Sequence, residues 1–252
     1  ALPSQIISAN SAILSKPISF NAKFSGKKIS VKLGQSKVDS FSETRVVISS
    51  RMIIQNTEFT ARVTTEYDGL ALFEISTGSA DALPFDEFNL EIPIKAEHAL
   101  YRNIFNINTS DIPGGNIPAG NGIVETKAWM PFVWLGDNDR GLFWFCESDD
   151  PRIWPNKDQN TIELERADNE IILRFNILAP GQKFSSPKWN LVFGLQATPV
   201  KKVDARIARK IRFYGPTQNF DWAWPEPKKN HSTIGMGYPE AVNPQAYSEY
   251  VK

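Results

Sequence analysis

The amino-acid sequence of 252 residues predicts an all-β fold, a large antiparallel β-sandwich of two sheets over residues 1–200. Short segments with apolar residues at every second position recur along this stretch, which is the period of half-buried strands. Turn residues separate these segments, and helical periodicity is almost absent before residue 200. Many short strands joined by turns are typical of a sandwich.

Most predicted strands rest on their own alternating segments. In chain order the predicted strands are 29–33, a short β-branched run at 45–48, then 59–63, 70–75, 88–94, 162–164, 171–177 and 189–195. The dipeptide Asp68-Gly69 predicts a tight turn between the third and the fourth. Pro93 has no N–H to donate, so it favours a sheet edge or the end of its strand.

Residues 201–252 differ in character and are predicted to form a separate segment. Residues 201–212 carry six basic side chains and one acid, with apolar residues at every fourth position, which suits a short helix. We interpret them as a solvated basic linker. Asn243-Pro244 fits the start of another helix, with Asn243 as the N-cap. The chain stops about two turns later, so we expect a missing continuation.

Composition excludes several classes of function. The 28 basic and 28 acidic side chains cancel, which argues against nucleic acid as a partner. No apolar run approaches the roughly 18 residues of a membrane-spanning helix. Cys146 is the single cysteine, so an intrachain disulfide and a cysteine zinc site are excluded. Nucleotide-binding glycine loops and zinc-protease motifs are absent, so we expect no cofactor and no metal.

The segment 129–154 is the densest in aromatic and acidic residues. It predicts two strands, Trp129–Leu135 and Leu142–Glu147, joined by a polar turn at 136–141. Aromatic faces stack on the C–H patches of sugars, and charged groups bind sugar hydroxyls. The candidates for carbohydrate binding or a domain interface are Trp134, Asp137, Asp139, Arg140, Trp144, Glu147, Asp149 and Trp154. The alternative is an aromatic core hairpin with a charged tip.

Two acid pairs are candidates for catalysis, because glycoside hydrolysis needs two carboxyl groups flanking one bond. Asp86 and Glu87 are adjacent on a predicted strand, so their side chains point to opposite faces. Glu147 and Asp149 could share a face, which leaves open a complete enzyme with its site on the sandwich. The residues themselves support no catalytic assignment.

The same segment carries a family resemblance. The sequence WMPFVWLGDNDRGLFWFCESD, at 129–149, resembles the N-terminal domain of glycoside hydrolase family 123 and related bacterial proteins. The turn at 66–69, the strand at 90–94 and the segment 193–199 also fit that domain. The resemblance covers roughly residues 25–200.

The resemblance implies a supersandwich of the mutarotase-like kind, followed by a catalytic (β/α) barrel. Members of the family remove β-linked N-acetylgalactosamine with an adjacent Asp-Glu pair of the barrel, and no such pair follows residue 200 here. Residues 218–252 look like the first strand and helix of a barrel that is cut short. We therefore expect a non-catalytic domain at 1–200 and a truncated barrel start within 201–252.

The expected partners are the missing catalytic barrel and a carbohydrate. The resemblance alone implies a periplasmic or secreted bacterial protein. The alternative function is a stand-alone carbohydrate-binding module, which an exposed pair of tryptophans in the 129–154 segment would favour.

Overall fold

A computed structural model of the chain describes residues 2–77, 83, 85–105, 114–184, 186 and 188–200, and the backbone of 211–214 and 232–235. The chain divides into two compact units, Ala1–Val200 and Lys201–Lys252. The first unit is built almost entirely of antiparallel strands, which confirms the predicted fold class. Among the described residues, no helix has the length and apolar character needed to cross a membrane.

Nineteen strands and one short helix make up the described structure. In chain order the strands are β1 (Ile7–Ser8), β2 (Ser11–Ala12), β3 (Ser19–Phe24), β4 (Lys27–Ile29), β5 (Val31–Phe41), β6 (Arg45–Ile54), β7 (Thr57–Glu66), β8 (Ala71–Thr77), β9 (Glu87–Lys95), β10 (Tyr101–Phe105), β11 (Gly114–Asn116), β12 (Gly122–Lys127), β13 (Phe132–Gly136), β14 (Gly141–Phe145), β15 (Ile162–Ala167), β16 (Glu170–Leu178), β17 (Asn190–Thr198), β18 (Ile211–Tyr214) and β19 (Ser232–Gly235). A single 3₁₀ turn spans Ala96–His98.

Two large sheets face each other in the first unit. The larger sheet has nine strands in the order β11-β10-β13-β14-β17-β8-β7-β6-β5. The smaller sheet has six strands in the order β12-β15-β16-β9-β3-β4. Strands β1 and β2 form a separate two-stranded hairpin. Pro93 lies on β9 beyond Glu91, the last residue that pairs with β3, so its missing N–H is tolerated there.

Aromatic rings join the two sheets. Phe59 of β7 stacks on Phe88 of β9 with ring centroids 5.8 Å apart. Trp144 of β14 stacks on Phe175 of β16 with centroids 4.0 Å apart. All four rings are buried, because alternate residues of each strand point into the space between the sheets.

The larger sheet extends beyond the smaller one at β5. Leu33 of β5 lies opposite the buried Met52 of β6, and therefore on the face turned toward the core. Even so, Leu33, Val38 and Phe41 are 79%, 59% and 78% exposed. The smaller sheet has too few strands to cover this edge.

In the second unit, β18 and β19 pair in parallel. The predicted helix at 201–212 lies outside the described residues except for 211 and 212, which belong to β18. The predicted helix after Asn243 also lies outside them.

Candidate functional site

The predicted tryptophan hairpin forms, as strands β13 and β14. Their residues pair in register from Phe132–Phe145 to Gly136–Gly141, which leaves a four-residue tip. One face of the hairpin points into the core and carries Val133, Leu135 and Trp144. The other face points away from the core and carries Trp134 and three phenylalanines, which are half-buried.

Two of the candidate tryptophans lie in the core. Trp144 and Trp154 are 1% and 0% exposed, and their rings meet edge to face with centroids 6.3 Å apart. They therefore offer no surface to a ligand or to another domain. Cys146 is buried beside them, and this burial raises the pKa of its thiol to about 11.

Trp134 lies on the outer face, flat against the backbone of the hairpin. A Cβ placed on Gly136 would fall 2.3 Å from its ring, and one on Gly141 would fall 2.6 Å from its Nε1. The two glycines therefore provide the space in which the indole rests. Trp134 Nε1 donates a hydrogen bond of 3.0 Å to Thr198 Oγ1, which fixes the orientation of the ring.

The carboxylate of Asp137 organises the tip of the hairpin. It accepts hydrogen bonds from the backbone N–H of Asp139 and of Arg140 at 2.7 and 2.9 Å, and His98 Nδ1 lies 2.9 Å away. Burial acts to raise the pKa of Asp137, but the hydrogen bonds from Asp139, His98 and Arg140 outweigh it and lower the pKa. Arg140 also hydrogen-bonds Ser11 Oγ. The tip is thus held by hydrogen bonds within itself and by contacts with His98 and Ser11.

The other candidate acids of this segment are exposed. Asp139, Glu147 and Asp149 are exposed, and Asp149 pairs with Lys157 at 3.0 Å. Ion pairs this exposed contribute little to stability. Where the structure describes the chain, no group of three metal-ligating side chains converges.

Sequence reasoning missed a polar cavity on the other side of the molecule. A cavity of about 530 Å³ lies over the outer face of the smaller sheet, and we call it the small-sheet groove. Its floor is formed by outward-facing residues of β3, β9 and β16, and one wall by the segment 156–160. Three floor residues, Asn21, Asn89 and Asn176, lie in register on neighbouring strands.

Arg174 lies at one end of the same floor, among three glutamates. Its guanidinium pairs with Glu91 at 2.8 Å, with Glu163 at 3.1 Å and with Glu165 at 2.6 Å. Burial acts to lower the pKa of Arg174, but the hydrogen bonds with Glu91 and Glu165 raise it further than burial lowers it. The guanidinium therefore stays charged and holds these carboxylates in place.

Comparison with known proteins decides the family. Residues 1–177 match the family model described as glycoside hydrolase 123, third domain. The chain belongs to the glycoside hydrolase 123 family. The resemblance seen in residues 129–149 is therefore confirmed. The matched description numbers this glycoside hydrolase 123 domain as the third, whereas the sequence resemblance predicted an N-terminal one, so its place in a parent protein stays a prediction.

Two solved structures resemble this glycoside hydrolase 123 domain distantly. One is a candidate aldose 1-epimerase from Escherichia coli K12, with 8% identity, a TM-score of 0.46, and coverage of 78% of this chain and 92% of that chain. The other is a copper-containing benzylamine oxidase from Hansenula polymorpha, with 8% identity, a TM-score of 0.34, and coverage of 76% and 45%. Likeness at this level transfers no function. Comparison with curated proteins found no match.

Proposed function

We propose that this chain is a non-catalytic β-sandwich domain of a glycoside-hydrolase-like protein, which supports a catalytic barrel and contributes to carbohydrate binding. The family match over residues 1–177 is the observation that carries the proposal. By the same family relation, the parent reaction is hydrolysis of β-N-acetylgalactosaminides, and the parent protein is periplasmic or secreted and bacterial.

The acids of the sandwich support a non-catalytic role. A glycosidase needs a carboxyl group whose pKa is raised, so that it can donate a proton to the leaving group. The pKa of Asp137 is lowered instead. Glu87 pairs with Lys23 at 2.7 Å, and its neighbour Asp86 accepts a hydrogen bond from the backbone N–H of Ser25.

The test is a turnover assay with a chromogenic β-N-acetylgalactosaminide. We expect no turnover by this chain and turnover by the parent protein, because the acid/base pair belongs to the barrel. A matched pair of variants, Glu147→Gln and Asp149→Asn, covers the alternative of a complete enzyme. Turnover by the chain alone that either substitution abolishes would overturn the proposal.

A further inference from the structure

We propose that the small-sheet groove binds a neutral saccharide through a row of asparagine side chains. The inference deepens the proposed function and rests on it for the class of ligand. It places carbohydrate contact on the outer face of the smaller sheet, on the opposite side of the molecule from the outer face of the tryptophan hairpin.

The row is a direct result of strand register. Asn21 on β3 pairs with Asn89 on β9, and Asn89 pairs with Asn176 on β16. Neighbouring strands lie about 4.8 Å apart, so the three side chains span about 10 Å across the floor of the groove. Each asparagine follows a buried phenylalanine, Phe20, Phe88 or Phe175. The amides are therefore held by strands whose other face is locked into the core.

Amides match sugars chemically. Each amide offers two N–H donors and a carbonyl acceptor, and each sugar hydroxyl both donates and accepts. Asn176 Nδ2 donates to the carbonyl of Asn160 at 3.0 Å, while Asn89 Oδ1 is buried and has no hydrogen-bond partner among the described residues. The Asn89 amide thus has an unused acceptor, which a rotation of its side chain would present to the groove. A volume of about 530 Å³ lies within the usual range of small-molecule sites, roughly 300–1,000 Å³.

The charges of the groove favour a neutral ligand. Lys23 is paired with Glu87, and Arg174 with Glu91 and Glu163. Lys28 is left as the one lining charge without an ion pair in the described part of the chain. The lining carries three basic and three acidic groups in all, so its charges cancel. An anionic ligand would meet one unpaired cation, Lys28, and would otherwise have to compete with glutamates for Lys23 and Arg174.

The experiment is a titration of the full chain with sugars, followed in amide proton–nitrogen correlation spectra. These spectra contain the side-chain N–H signals of Asn21, Asn89 and Asn176 and the indole signal of Trp134. The probes are N-acetylgalactosamine, galactose and galacturonate. We expect the three asparagine signals to shift with both neutral sugars, and galacturonate to bind no more tightly than galactose.

Variants locate the contact. Asn89→Ala removes the central amide, and we expect about tenfold weaker binding, the equivalent of one or two lost hydrogen bonds. Asn190→Ala is the matched control, because Asn190 is exposed on β17 of the larger sheet. We expect it to leave the affinity unchanged, and both variants to keep the dispersed spectrum of the parent chain.

Three outcomes would overturn the inference. Sugar-dependent shifts confined to the Trp134 indole and the hairpin tip would move the contact to that surface, while the carbohydrate role would stand. Tighter binding of galacturonate than of galactose would refute a neutral ligand. The absence of any shift with all three sugars would refute saccharide binding in the groove. The proposal that the domain belongs to a glycoside hydrolase is tested separately, by turnover of the parent protein.

Discussion

Replacing Gly194 with alanine tests how the outer aromatic rings lie on the larger sheet. Gly194 on β17 pairs with Phe145 on β14. A Cβ built on Gly194 would lie 2.1 Å from Cζ of Phe145 and 2.3 Å from its Cε1. Atoms cannot approach so closely, so Gly194→Ala must push the ring off the sheet.

The expected magnitude follows from two opposing effects. Overpacking of this kind costs about 1–3 kcal/mol. Alanine is better than glycine inside a strand by roughly 0.5–1 kcal/mol. We therefore expect Gly194→Ala to lower the free energy of unfolding by about 1 kcal/mol, within a range of roughly 0–2.5 kcal/mol. In a Phe145→Ala background the clash is gone, and the same substitution should raise that free energy by about 0.5–1 kcal/mol.

The assay is chemical denaturation of the parent chain, the two single variants and the double variant, followed by tryptophan fluorescence. The diagnostic result is the difference between the effects of Gly194→Ala on the free energy of unfolding in the two backgrounds, which we expect to be about 1–3 kcal/mol. If Gly194→Ala has the same effect in both backgrounds, within about 0.5 kcal/mol, the ring of Phe145 does not rest on Gly194 and the reasoning fails.

Three further predictions concern buried and titratable groups. Trp144→Ala should lower the free energy of unfolding by about 3–5 kcal/mol, because the ring is buried and stacks on Phe175; a loss below about 1 kcal/mol in denaturation experiments would contradict this. The pKa of Asp137 is lowered in the folded state from the ordinary value of 3.8, so its carboxylate contributes stability above that value and loses it as the pH falls through the folded pKa. Asp137→Asn should therefore have a lower free energy of unfolding than the parent chain at neutral pH, and denaturation at about pH 3 should show a smaller difference between the two. A difference in free energy of unfolding that does not change with pH would refute the stabilising role of the Asp137 carboxylate. Cys146 is buried with a pKa of about 11, so a thiol reagent at about pH 8 should label the unfolded chain and spare the folded one, and rapid labelling of the folded chain would show that the site is open.

Much of the fold could be predicted from the sequence, because alternation has a direct physical cause. The segments 88–94 and 171–177 alternate cleanly, and both became central strands of the smaller sheet. The same pattern at 29–33 predicted a half-buried strand, yet Leu33 is 79% exposed. Periodicity reports that a strand has an apolar face, and the number of strands in the opposite sheet decides whether that face is covered.

The hairpin shows a different limit of sequence reasoning. Strands β13 and β14 carry aromatic residues on both faces, so alternation alone could not say whether Trp134 or Trp144 faces the core. Trp154 follows in a segment without strand periodicity, and its complete burial had no signal in the pattern. The sequence predicts Gly136 and Gly141 as turn residues, and in the structure they also provide the space for the ring of Trp134.

The floor of the small-sheet groove has a local signal in the sequence. The triplet of phenylalanine, asparagine and an apolar residue occurs at 20–22, 88–90, 105–107 and 175–177. The first, second and fourth of these triplets lie in alternating strands and place a polar amide where the outer face must be. Only the register of β3, β9 and β16 brings the three amides together, and register between distant strands cannot be obtained from local pattern.

The alternation of phenylalanine and asparagine has a practical consequence for engineering. On these strands the inward-facing residues pack in the core, whereas the outward-facing residues do not. The outward-facing residues can therefore be substituted while the core packing is kept. A library that varies positions 21, 89 and 176 while keeping Phe20, Phe88 and Phe175 would explore new specificities on a platform of unchanged shape.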